Sequence, residues 1–320
     1  MVIQAPLSER AACWRPDSVL TVQSVLYGTL PDGLEKALEN LDLSAREAIE
    51  NGLFKAVKVA YGDGSPTPVL DDATLESWRN RFKNLSAIDY VFFGKNLGSA
   101  RGHNTLVTGH HQAPLARGDG FMMVMNPDVI VAYDALTNLA IRLKTPGIGL
   151  VEARQMPIEH PKDYDRRSGD TVWASTACVM LDERVFHQIG GFDADTFFLY
   201  CDDVDFSWRM RLAGWRVVFE PSAVAFHDKR LSPNGAWMTS AAERYYSAEA
   251  ALLLAHKYSR PELVKDILRY FRDSKQDDLL RAAKEFERRR AAGLLPLPLD
   301  GDHKVAVFEG GEYAPHRFRL

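Results

Sequence analysis

The chain has 320 residues, 46% of them apolar and 26% charged, with a formal net charge of -4. Such a balance belongs to a folded protein with one large core or a core plus an appendage, and the mild acidity argues against a nucleic-acid partner. Cys13, Cys178 and Cys201 are too scattered for a disulfide framework or a metal site, so a reducing cytoplasm is expected.

The opening stretch "MVIQAPLSERAACWRPDS" lacks a signal pattern, and no apolar run approaches the roughly 20 residues of a membrane span. "VLTVQSVLY" (19–27) then predicts a buried strand, followed by a turn and a helix carrying Leu34, Ala37, Leu38 and Leu41 on one face. "KAVKVAY" predicts a second strand ending in the turn formers "GDGSPTP", and "DDATLESWRNRF" a helix with aspartates suited to its N-cap. "IDYVFF", the loop "GKNLGSARGHN" and the strand "GFMMVMNPD" complete the first half. Strands alternating with helices imply a largely parallel, doubly covered sheet, whose sites gather beyond the carboxyl ends of the strands.

In the second half "GIGLVEAR" and "TVWASTACVML" predict strands around the polar stretch "IEHPKDYDRRSGD", and "DERVFHQI" a short helix closed by Gly190 and Gly191. Val204, Trp208 and Leu212 share one face of a helix expected from about Asp203 to Ala213, with "WRVVFEPSA" a strand beyond Gly214. From Ala241 onward the pattern is helical, with Pro261 starting a second helix.

Within "FFLYCDDVDFSWRM" (197–210), Asp202, Asp203 and Asp205 crowd into four positions. Acids near a helix N-terminus gain roughly 0.3–1 kcal/mol each, so capping explains one of them; three exceed what a cap needs. Asp128 follows a buried-looking strand and Pro127, Asp63 follows the second strand, and His227 ends another apolar run. A strand-to-turn Asp or a lone His is ordinary taken singly, and His110 and His111 do not rise above that. Together, however, Asp63, Asp128, the Asp202/Asp203 pair and His227 all fall at one predicted edge. Asp128 with His227 could hold a hard cation, while Asp203 could take a proton.

"GKNLGSARGHNTLV", "VMNPDVIV" and the long block "VWASTACVML…AVAFHDKRLS" resemble, in order and spacing, the family 2 glycosyltransferases of the rhamnosyltransferase-like branch. The resemblance runs from about Val19 to Ser232 and is most specific between Gly190 and Gly214. It implies an α/β, Rossmann-like GT-A fold with a mixed, mainly parallel sheet over residues 19–232, after an extension (1–18) and before a C-terminal helical region and tail (233–320). It implies inverting transfer of rhamnose or another hexose from a UDP- or dTDP-sugar to a hydroxyl of a glycan or lipid-linked acceptor, as in bacterial surface polysaccharide synthesis. A divalent cation, Mg²⁺ or Mn²⁺, would be held by Asp128 and His227. Asp203 takes the place of the catalytic base, with Asp202 beside it and Arg209 assisting. Tyr27, Asp63, Asn96, Arg101 and Asn126 are expected against the nucleotide sugar.

Three departures stand out. Asp63 is displaced by one position from the family's base-recognition acid, Asn126 replaces the first acid of DXD, and Cys201-Asp202 replaces an aromatic-Glu pair. The rival readings are a metal-dependent nucleotide-sugar hydrolase or nucleotidyltransferase, and a silent nucleotide-sugar or glycan-binding module. A dinucleotide oxidoreductase is disfavoured because no G-x-G-x-x-G follows the first strand. The C-terminal helices could pack on the core, pair with a second subunit as a homodimer, or rest peripherally on the inner face of the cell membrane.

Overall fold

The computed structural model describes residue 14 and residues 17–109, 120–159, 163–227 and 239–308. Its first half follows the apolar pattern closely. Strands β1 (Val19–Leu26), β2 (Ala56–Asp63) and β3 (Leu85–Phe92) lie parallel, linked by helices α1 (Pro31–Glu50) and α2 (Asp72–Arg81). β1 is buried almost throughout, as a strand covered on both faces must be. Pro31 starts α1, where its missing N–H costs nothing, and Leu34, Ala37, Leu38 and Leu41 form the buried stripe. Asp71 caps α2 by accepting from the Thr74 amide at 2.8 Å.

After α3 (Gly98–Thr108), the run expected as one strand divides into β4 (Phe121–Met125) and β5 (Val129–Val131), separated by the Asn126-Pro127-Asp128 turn. β4 joins β1 in parallel, whereas β5 crosses to the far edge and pairs antiparallel with β8 (Arg216–His227). Between them lie α4 (Ala135–Leu143), β6 (Ile148–Met156), β7 (Cys178–Asp182), α5 (Glu183–Ile189) and α6 (Asp202–Leu212). The eight strands run in the order β3-β2-β1-β4-β7-β6-β8-β5. The strand expected over 171–181 is confined to β7, and residues 173–177 form irregular chain instead. β8 is longer than expected and reaches His227.

The C-terminal region contains α7 (Ala241–Lys257), α8 (Pro261–Asp273) and α9 (Asp277–Ala291), the last two divided at Lys275, which has φ +57°. These helices share a hydrophobic cluster with α6 and its lead-in: Phe197, Cys201, Val204 and Trp208 pack with Leu252, Leu253, Phe271 and Phe286. Val305 and Ala306 of the tail are buried in the same cluster. Among the described residues no helix is long and apolar enough to cross a membrane. Cys13, His110, His111 and the end of the family-like block beyond His227 lie outside the described residues.

Candidate active site

Strand directions fix what shares an edge. Leu26, Asp63 and Phe92 are in register at the carboxyl ends of β1, β2 and β3. Met125 pairs with Cys178, so residues 173–177 arrive at that edge too. β6 and β8 run parallel and end there, with Met156 opposite Phe226, and Val129 pairs with His227. Tyr27, Asp63, Asn126, Asp128 and His227 therefore stand along one side of the sheet.

Asp128 and His227 face each other, with Oδ1 3.4 Å from Nε2. The His227 ring is mostly buried, and its Nδ1 lies 2.8 Å from Gln155 Oε1. With the Gln155 oxygen as acceptor, Nδ1 carries the proton and Nε2 turns a lone pair toward the Asp128 carboxylate. Two acceptors so placed invite a proton or a cation between them. Among the described residues Gln155 Nε2 is buried without a partner, so they leave this corner one hydrogen bond short. Among the described residues no three His, Cys, Asp or Glu side chains converge on a point. One carboxylate and one imidazole nevertheless suit a divalent ion whose remaining ligands are substrate oxygens and water.

Asp63 has a different surrounding. It is 0% exposed and accepts from the Ser65 amide (2.8 Å), the Val69 amide (2.9 Å) and the Tyr90 hydroxyl. All three donors belong to its own loop or to β3, so the carboxylate pins the 63–69 turn. The carboxylate is buried in the wall and engaged by its own surroundings, where the expectation has it meeting a nucleotide base. Tyr27, just beyond β1, is exposed, and the following Gly28 amide donates to Ser65 Oγ at 2.8 Å.

Asn96 lies in the β3–α3 loop and Arg101 in the first turn of α3. Asn96 Oδ1 accepts from the Gly98 amide at 3.0 Å, holding the turn. A Cβ on Gly98 would lie 2.2 Å from the Phe198 carbonyl oxygen, and its φ of +71° also demands glycine. The next amide, Ser99, donates to that same oxygen at 3.1 Å. The Ser99 side chain stands near enough to Asp202 to favour its charged form, against the effect of burial. Arg101 reaches Asp195 (2.6 Å) and the Ala194 carbonyl (3.1 Å).

Asp202 and Asp203 open α6 behind two consecutive non-glycine residues in left-handed conformation, Tyr200 (φ 65°) and Cys201 (φ 56°). Such residues cost roughly 1–3 kcal/mol each, and surrounding packing must hold them. Asp202 is 4% exposed, and among the described residues its Oδ2 has no partner. Burial first, then the Asp203 charge beside it, push its carboxyl up to about 7. Asp203 is 8% exposed; its Oδ1 accepts from the Val204 amide at 2.8 Å and its carbonyl from Ser207 Oγ at 2.8 Å. The acid pair and the Asp128 corner are joined through the irregular segment: the Ala174 amide donates to Ser207 Oγ (3.1 Å), and the Asn126 amide to the Ala177 carbonyl (2.8 Å).

Arg209 does not stand free for a diphosphate, contrary to expectation. Its Nε donates to Asp205 Oδ2 (2.8 Å), and its two terminal nitrogens to the carbonyls of Ile189 and Gly191 (both 2.7 Å). Sequence reasoning missed Ser99, Gln155, Lys257 and Tyr258. Gln155 carried a signal, since Glu152 and Gln155 are polar residues within an otherwise buried strand. A groove of about 530 Å³ around Asp170, Arg211 and Arg216 lies where β8 begins, at the opposite sheet edge.

No family model matches the chain. It is 28% identical over 254 residues, 66% of its length and 76% of the relative's, to the N-acetylglucosaminyl-diphospho-decaprenol L-rhamnosyltransferase of Mycobacterium tuberculosis. It is 21% identical over 175 residues, 45% of its length and 66% of the relative's, to rhamnosyltransferase WbbL of Escherichia coli K12. Its structure resembles the mannosyltransferase PcManGT of Pyrobaculum calidifontis, solved with GDP-Man and Mn²⁺, at a TM-score of 0.52 and 17% identity, covering 90% of this chain and 80% of that one. It also resembles GalNAc-T7, solved with UDP, GalNAc and Mn²⁺, at a TM-score of 0.57 and 11% identity, covering 88% and 58%.

Proposed function

The chain is a glycosyltransferase of the GT-A fold related to the rhamnosyltransferases, and we propose that it moves rhamnose or another hexose from a UDP- or dTDP-sugar to a hydroxyl of a lipid-linked glycan. The mycobacterial relative is named for an acceptor on a diphospho-decaprenol, which supports the lipid-linked class. Such an acceptor presents itself at a membrane face, so a cytoplasmic enzyme visiting the inner leaflet fits this reading. The observation that carries the proposal is the docking of Phe198, in the lead-in to Asp202 and Asp203, onto Gly98 and Ser99, at the sheet edge where Asp128 meets His227.

The acceptor oxygen attacks the anomeric carbon as the bond from that carbon to the diphosphate oxygen breaks on the opposite face, inverting the centre. Asp203 takes the hydroxyl proton from within about 2.6–3.2 Å. An alcohol is a far weaker acid than a carboxylic acid, so the proton moves late, once positive charge on the sugar has made the hydroxyl acidic. Burial, and then the Asp203 charge beside it, raise the Asp202 carboxyl, which favours sharing of one proton within the acid pair. Asp128 and His227 would hold a divalent cation, whose chemistry is to neutralise charge on the leaving diphosphate. Tyr27 offers an exposed ring to the nucleotide, while Asp63 and Asn96 shape the wall around it.

Asp203→Asn tests the reading. It should lower transfer by roughly 10²–10⁴-fold while calorimetric affinity for the nucleotide sugar stays as in the parent. A fully active Asn variant would remove Asp203 as the base. Nucleotide-sugar consumption that ignores every acceptor would replace transfer by hydrolysis.

A further inference from the structure

The acids at the start of α6 crowd negative charge together, and one of the cations that meets them comes from the C-terminal helices. Lys257, the last residue of α7, has its ammonium 2.6 Å from Asp205 Oδ1 and 2.6 Å from Asp193 Oδ2. Its side chain is only 6% exposed. The adjacent Tyr258 hydroxyl donates to Asp205 Oδ1 at 3.0 Å and lies 3.1 Å from the Asp205 carbonyl. Arg209 closes the other side of the same carboxylate. Burial works against the charge on Asp193, yet the Lys257 hydrogen bond and its positive charge hold that carboxyl below the usual range.

A lysine in the last turn of a helix ordinarily complements the dipole from a solvent-facing position. Burial between two carboxylates goes further than that role requires, because a desolvated ammonium is tolerated only where its partners are fixed. Those partners bracket the strained turn: Asp193 precedes Tyr200 and Cys201, and Asp205 follows Asp203 by two residues. Lys257 also lies 5.5 Å over the ring of Phe197, and the Tyr258 ring packs edge-on to Trp208 of α6 at 4.6 Å.

We infer that Lys257 and Tyr258 are positioning residues, which clamp the 193–205 turn from outside and so set the direction of the Asp203 carboxylate toward the acceptor hydroxyl. On this view α7 is part of the active site. The inference rests on reading Asp203 as the base, and its test separates the two.

In the full-length chain, Lys257→Met and Tyr258→Phe are compared with the parent for kcat, donor KM and amide hydrogen exchange. Lys257→Met should lower kcat at least tenfold with donor KM within twofold, and Tyr258→Phe should do the same more weakly. Both should speed exchange at residues 202–206 while leaving β1–β3 protected. Adding Asp205→Asn to Lys257→Met should cost less than the product of the single losses, because the two act through one contact. If Lys257→Met does not fold, Tyr258→Phe decides, since it removes one hydroxyl from a carboxylate that keeps both cations. Parent-like kcat and exchange in a folded variant overturn the inference, as does a uniform rise of exchange over the whole chain. Should the parent transfer sugar to no acceptor, the base assignment fails, while exchange at 202–206 still decides whether α7 holds the turn.

Discussion

On the β2 side of the sheet edge, Asp63 is sealed from water and pinned by two amides and a tyrosine hydroxyl. On the β5–β8 side, Asp128 keeps a side chain 49% exposed, with His227 against one oxygen. Both are aspartates that end or follow an apolar run, and both face the same direction along the sheet. What separates them is whether nearby donors satisfy the carboxylate from within the protein. A carboxylate already saturated by its own loop holds shape, whereas one that meets an imidazole lone pair at the surface retains capacity for an added cation. The same distinction runs through α6, where Asp205 is met by Lys257, Arg209 and Tyr258, while Asp202 keeps a buried oxygen without a partner among the described residues.

The sharpest break of this contrast is to exchange stability against activity at the two sites. Asp63→Ala takes the acceptor from the Ser65 amide and the Tyr90 hydroxyl, leaves the Val69 amide only its 3.2 Å bond to Tyr90, and should lower the unfolding free energy by about 3 kcal/mol, seen as a lower urea midpoint. Asp128→Asn should change stability by less than about 0.5 kcal/mol, as expected for a half-exposed side chain. It should nonetheless reduce transfer by about 100-fold or more if it helps stabilise the leaving diphosphate. Equal losses of stability at the two positions would erase the distinction.

A smaller effect is expected one layer behind Asp128. Gln155→Leu removes the oxygen that fixes the His227 ring and also removes the unpartnered Gln155 nitrogen. Losing the unpartnered nitrogen offsets part of the cost of leaving the His227 N–H unpaired, so stability should fall by no more than about 1–3 kcal/mol, while the Mn²⁺ concentration needed for half-maximal activity rises roughly 10–100-fold. A Leu variant with parent-like Mn²⁺ dependence would place the cation elsewhere.

How much of this was readable beforehand follows the range of the interactions. β1, β2 and α1 were plain because a doubly covered strand is a continuous apolar run and a helix repeats its buried residues every turn. The β4–β5 division was hidden because "VIV" continues the apolar run, and only pairing with β8 draws it across the sheet. Residues 173–177 looked like a strand by composition, yet the Ala174 and Ser175 amides are taken by the Ser207 and Glu152 side chains. Arg209 looked free because two of its partners are backbone carbonyls, which leave no trace in the sequence. Lys257 and Gln155 meet their partners across 64 and 72 residues, distances at which spacing carries no information.

Next in size is a pH effect at Asp202. Its carboxyl is raised in the folded state, so the stability tied to its protonated form is complete below the ordinary carboxylate pKa and is lost as pH rises through about 7. Asp202→Asn should match the parent near pH 4 and gain on it up to about pH 7, then run parallel. The difference can grow by at most about 1.4 kcal/mol per pH unit, the limit for one proton. Chemical denaturation of both proteins across this range measures it, with the titration read as belonging to the Asp202–Asp203 pair. Curves of identical shape would mean that water reaches the Asp202 carboxylate.

The smallest effect separates two arginines that looked alike. Arg209 holds three internal bonds from a side chain 15% exposed, whereas Arg101 meets a 93% exposed Asp195 and is itself 49% exposed. An exposed pair of that kind is worth about 0.2–1 kcal/mol, so Arg101 can leave it for an anionic ligand at little cost. Arg101→Ala should therefore hardly alter the melting temperature, yet raise donor KM by about tenfold, equivalent to about 1.4 kcal/mol of lost binding. Asp195→Ala supplies the opposing control: it frees the guanidinium, and donor KM should stay level or fall. If both alanine variants keep the parent KM, Arg101 is a surface ion pair, and diphosphate recognition rests on the Asp128–His227 side of the edge.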